Sequence, residues 1–91
     1  MADDYALPEA RERASVGAVV SLSPTGAAEV LSVSWPYPPC RTWRVGRSRE
    51  LEPLGTAGRG TLVRRWQVWL EGVPSPRAVF FDGTSFFVRQ R

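Results

Sequence analysis

Arginine and aromatic side chains carry the chemistry that this chain concentrates. Arg44, Arg59, Arg65 and Arg89, with Trp69 and Phe87, are the residue types that hold a single nucleic-acid strand. Guanidinium groups bind backbone phosphates, and flat rings stack on bases. The same types are enriched at the centres of protein interfaces, so a protein partner or a second copy is the alternative ligand. Three of the four arginines, Arg44, Arg59 and Arg65, fall in a cationic block. Residues 41–65 hold seven arginines against Glu50 and Glu52, a net of +5, within a 91-residue chain of net charge +3. Residues 1–13 sum to −2 through Asp3, Asp4, Glu9 and Glu12 against Arg11 and Arg13. A clustered positive field attracts polyanions or acidic surfaces; the bland reading is a solvated, solubilising face. The use of Arg in place of Lys adds nothing, because Asn and Ile are absent too. A GC-rich bacterial genome produces that composition through codon usage alone.

Catalysis finds little support. With no His and one Cys, the chain lacks the makings of a conventional zinc site, a disulfide framework, or a Ser-His-Asp or Cys-His centre. Glu50 and Glu52 stand two apart, so on a strand they could face one way as acid and base or hold a divalent ion. Arg47 and Arg49 beside them favour ordinary ion pairs. Asp82 belongs to a turn, and Cys40 follows three prolines with no His partner. The glycine-rich stretch from Gly55 to Gly60 could cradle phosphate but lacks a Gly-Lys-Ser/Thr ending. The expectation is a non-catalytic protein without metal or cofactor. It is also cytoplasmic and free of the membrane. No stretch approaches the roughly 18 apolar residues of a span, and the acidic N-terminus does not read as a signal peptide.

The elements that must position these residues are short strands. Pro8 to Ala14 reads as one helical turn, within an N-terminal acidic segment (1–15) set apart from a single β domain (16–91). Val16–Leu22 suggests a strand closed by the turn Ser23-Pro24-Thr25-Gly26. Glu29–Trp35 alternates cleanly, with Leu31, Val33 and Trp35 on one face. Pro36-Tyr37-Pro38-Pro39 then interrupts as a stiff connection rather than a proline-motif ligand. Arg41–Arg47 forms a third strand, ended by Leu51-Glu52-Pro53-Leu54. Thr61–Glu71 is the longest candidate, and Arg77–Phe81 with Phe86–Arg89 makes a terminal hairpin about Asp82-Gly83. The fold class is therefore mainly β, an antiparallel five- to six-stranded barrel or strongly curled sheet.

The expected core is Val20, Leu22, Leu31, Val33, Trp35, Trp43, Val45, Leu62, Trp66, Val68, Leu70, Phe86 and Val88. Adjacent residues face opposite ways, so one of Phe80/Phe81 and one of Phe86/Phe87 lies outside unless both faces are covered. Arg44, Arg65, Trp69, Phe87 and Arg89 then share the outer face as a contact platform, unless Trp69 and Phe87 pack under the N-terminal segment or a loop as a second small core.

The succession of Trp35, Arg41-Thr42-Trp43-Arg44-Val45, Arg64-Arg65-Trp66-Gln67-Val68 and the Phe86-Phe87-Val88-Arg89 hairpin is similar, at scattered positions, to small bacterial β domains encoded beside translesion polymerases. That likeness carries no residue roles across to this chain.

Overall fold

A computed structural model describes residues 5–35, 40–55 and 62–89. Arg59, the Pro36–Pro39 connection, the glycine-rich loop past Gly55, and Asp3 and Asp4 lie outside the described residues. Six antiparallel strands follow a short 3-10 turn at Ala10–Glu12: β1 Arg13–Leu22, β2 Ala28–Trp35, β3 Arg41–Gly55, β4 Leu62–Leu70, β5 Arg77–Phe81 and β6 Phe86–Arg89. Each strand pairs with the next, and β6 returns to pair with β1 from Arg13↔Arg89 to Val16↔Phe86, which closes a barrel.

The tight turns are where local chemistry decides the structure. Gly26 ends the β1–β2 turn and Gly83 follows Asp82 in the β5–β6 turn, at φ of +89° and +97°, a region that side chains avoid. The Asp82 carboxylate accepts the backbone N–H of both Thr84 and Ser85 at 2.9 Å. Those bonds fix the β5–β6 turn.

Strand pleating is interrupted three times, and each interruption changes which side chains face inward. The β1–β2 register steps from Val19↔Ser32 to Val20↔Val30, leaving Leu31 as an extra residue. Ala28 and Val30 before this bulge and Val33 after it are therefore all buried, while Leu31 points out at 44% exposure. In β3, Gly46 is extra between Val45↔Leu70 and Arg47↔Trp69. That shift turns Arg47 and Arg49 outward and Ser48 and Glu50 inward, opposite buried Val68 and Trp66. A third bulge between Leu51 and Leu54 takes in Pro53, which has no ladder hydrogen to give, so β3 continues to Gly55 instead of ending there. Leu22 and Leu62, at 67% and 58% exposure, join Leu31 as expected core residues that lie outside. Leu22 and Leu62 each sit at a strand end beside a connection, beyond the reach of the core.

The barrel interior is built on Val16, Ala28, Val30, Val33, Trp66, Val68 and Val79, ringed by partly buried Trp35, Val45, Leu70, Phe81, Phe86 and Val88. Trp66 is central: its indole N–H donates to the Ala28 carbonyl at 3.0 Å, and its ring lies 5.9 Å from that of Phe86. Where the first bulge removes a ladder partner, the Val30 N–H donates to the Ser48 hydroxyl at 3.0 Å.

The bulge at Leu31 sets a measurable contrast. Val30→Ala is expected to cost about 2 kcal/mol and Leu31→Ala less than about 0.5 kcal/mol in chemical denaturation. Uninterrupted alternation would give the opposite order.

Candidate functional site

The outer side of β4, β5 and β6 carries Arg65, Phe80, Phe87 and Arg89, as the alternation of those strands requires. It is covered. Phe80 and Phe87 stack at 5.4 Å between ring centres, and with Val63 they form a second buried cluster beneath Leu7, Leu54 and Ala78. The segment from Tyr5 to Glu12 lies over them as a strap, with Pro8 fully buried. Arg65 donates through Nη1 to the Tyr5 carbonyl and through Nε to the Glu52 carbonyl at 2.7 Å. Gln67 donates to the Tyr5 hydroxyl at 3.0 Å. Arg89 donates to the Ala6 carbonyl at 3.0 Å and meets Glu12 at 3.3 Å. Arg13 donates to the Pro8 carbonyl at 3.0 Å and holds its guanidinium 4.6 Å from the Phe87 ring centre.

The platform expected from sequence is thus divided. Phe87, at 3% exposure, is closed to any ligand in this arrangement. Arg65 and Arg89 are half-buried, and their donors are engaged with the strap. Arg44 is exposed on the outer face of β3, opposite Ser32. Trp69 is half-buried on β4 with the Arg47 guanidinium 4.8 Å above its ring.

Exposed arginines that sequence reading left out of the site join these two. Arg47 and Arg49 stand on the outer face of β3 only because of the Gly46 bulge, and a glycine inside a strand was the available signal for it. Arg44, Arg47 and Arg49 form no ion pair among the described residues. The result is a row of three cationic groups on one strand with an indole beside its middle member.

The two ends of the barrel differ. At the end of the β1–β2 and β5–β6 turns, Arg64 takes an inward position and grips Glu50 with two bonds, Nε–Oε2 at 2.7 Å and Nη2–Oε1 at 2.8 Å. A third bond goes to the Gly26 carbonyl at 3.1 Å. Donation to the Glu50 carboxylate raises the Arg64 pKa above its ordinary value against the opposing effect of burial. Glu50 is therefore the partner of Arg64, across the sheet, rather than of Arg47 or Arg49. At the opposite end a cavity of about 410 Å³ opens, lined by Trp35, Trp43, Leu70 and Val88, with Arg41, Arg77 and Arg89 at its rim. No group of three metal-ligating side chains occurs among the described residues. No helix among them is long and apolar enough to cross a membrane.

Backbone N–H groups hold the Asp82 carboxyl below its ordinary value, chiefly that of Ser85 and then that of Thr84. A depressed carboxylate stabilises the fold fully above its ordinary pKa of 3.8 and loses that contribution as pH falls through the lower folded value. Asp82→Ala is expected to lower stability at pH 7 by about 1 kcal/mol, with the difference from wild type shrinking below about pH 4 in thermal melts. Phe87→Ala is expected to destabilise by about 3 kcal/mol, as for a core ring; an exposed stacking residue would cost less than about 0.5 kcal/mol.

The chain matches no protein-family model, no curated protein and no solved structure in the comparisons made.

Proposed function

We propose that this protein is a non-catalytic module that binds single-stranded nucleic acid along the outer face of β3. The observation that carries this reading is the exposed row Arg44, Arg47 and Arg49, unpaired with any carboxylate among the described residues, beside the Trp69 indole. Guanidinium groups in such a row hold successive phosphates. The indole gives one base a flat surface, with Arg47 supporting both ring and strand. Relative to the sequence expectation, the contact surface moves from the strapped face on to β3, keeping Arg44 and Trp69 and adding Arg47 and Arg49.

Fluorescence anisotropy with a labelled oligothymidylate at several salt concentrations tests it. Three phosphate contacts predict a slope of log K on log salt near −2, from about −0.7 per contact for single strands. Replacing Arg44, Arg47 and Arg49 together by Gln is expected to abolish the salt-dependent binding. Trp69→Ala is expected to weaken it by about 1–3 kcal/mol. Absent or salt-insensitive binding overturns the reading.

A specific observation favours a second reading, an assembly subunit. Val19 and Leu31 are both exposed on neighbouring positions of β1 and β2, because the bulge turns Leu31 out. Concentration-dependent mass in light scattering that is lost in Leu31→Ser would support self-association through this face.

A further inference from the structure

We propose that the cavity at the open end of the barrel binds a small amphipathic anion, a flat apolar body carrying one carboxylate. This site goes beyond the nucleic-acid reading and uses different residues from the β3 row.

The volume of about 410 Å³ lies in the range of small-molecule sites. Its walls are apolar, with two indoles, Trp35 and Trp43, facing aliphatic Leu70 and Val88. Planar ligands suit such walls, since indoles favour offset ring contacts.

The rim supplies the charge. Arg41 pairs with Trp35 and Arg77 with Val68, so both stand at register positions whose side chains turn toward the barrel axis. At the other end of the barrel the equivalent inward arginine, Arg64, is neutralised by Glu50. Among the described residues no carboxylate lines the open end, and neither Arg41 nor Arg77 has an ion pair. An anion there would do for these two what Glu50 does for Arg64. Arg41 is supported from behind, its guanidinium lying 4.8 Å from the Trp43 ring centre. Arg89 belongs to the rim but is held by Glu12 and Ala6, so the head group is assigned to Arg41 and Arg77.

The hydrogen-bonding character narrows the ligand further. Among the described residues, every polar side chain on the lining is a guanidinium or an indole, and these only donate. A ligand with its own donors, such as a nucleobase edge, a sugar or an amine, would find no side-chain acceptor among the described lining residues. A carboxylate, which only accepts, fits. Access is provided by the wall itself. β5 and β6 pair at Phe80↔Phe87 and Phe81↔Phe86 alone, and past those rungs the cavity is lined by Ala78 and Val79 on one side and Val88 and Arg89 on the other.

Calorimetric titration of the full chain with 1-naphthoate, and with neutral 1-naphthamide of the same shape, tests the assignment. One-to-one binding of the acid is expected, with the amide weaker by about tenfold or more, as for loss of a charged hydrogen bond. Arg41→Gln with Arg77→Gln is expected to remove that preference. Arg11→Gln, on an exposed arginine paired with Glu9 in the strap, is expected to leave it intact. Equal affinity for acid and amide, no saturable one-to-one binding, or a preference that survives the double replacement overturns the proposal. The acid–amide comparison uses the unaltered protein and stands even if the double variant fails to fold.

Discussion

Closure of the barrel through β6 is the constraint on which the rest of the structure depends. Four residues, Phe86 to Arg89, serve two neighbours. All four pair with β1, but only two pair with β5, so the seam between β5 and β6 is short of ladder bonds. Rings make up the deficit on both faces. Phe81 and Phe86 meet at 4.5 Å inside, and Phe80 stacks on Phe87 outside. A pair of phenylalanines on the outside of a sheet would face water, and the strap from Tyr5 to Glu12 covers them. Seam, strap and interior thus form one cooperative unit, and the same short pairing leaves the gap beside the end cavity.

Arginine divides into three physical roles that composition merges into one count. Arg13, Arg65 and Arg89 hold the strap by donating to its carbonyls and, for Arg89, to Glu12. Arg64 closes one end of the barrel against Glu50. Arg44, Arg47 and Arg49 on the wall, and Arg41 and Arg77 at the open end, have no carboxylate partner among the described residues. Positive charge free to act on a ligand is therefore a smaller and differently placed set than the cationic block of the sequence. What separates the groups is whether the fold brings an acceptor to the guanidinium, and that depends on cross-strand register.

Legibility of the fold followed the range of the interactions. Local chemistry at Ser23–Gly26 and Asp82–Gly83 marked the turns, and the strands Arg77–Phe81 and Phe86–Arg89 have the bounds expected of them. β1 begins at Arg13 rather than Val16, because β6 is there to pair with its first residues. Face assignments failed where a bulge intervened. Strict alternation placed Leu31 inside and gave no special place to Val30, yet one extra residue reverses that. Gly46 and Pro53 were visible as interruptions, but a lone sequence does not say which partner residue absorbs them. The site suffered from a longer-range effect. Phe87, Arg65 and Arg89 did reach the outer face, but their cover comes from partners as far as 83 positions away. No periodicity carries that information.

The strap imposes an order on biosynthesis. Its residues leave the ribosome before the strands on which they rest, yet apart from Arg13 on β1 the arginines that hold it, on β4 and β6, are made 60 to 83 positions later. Native contacts of such separation form slowly, since a large loop must close before any of them is rewarded. Until then Leu7 and the ring pair at Phe80 and Phe87 lack one another's cover, so an apolar surface stays open until β4 and β6 are in place. Docking of the strap by Arg65 and Arg89 thus waits on the synthesis of β4 and β6.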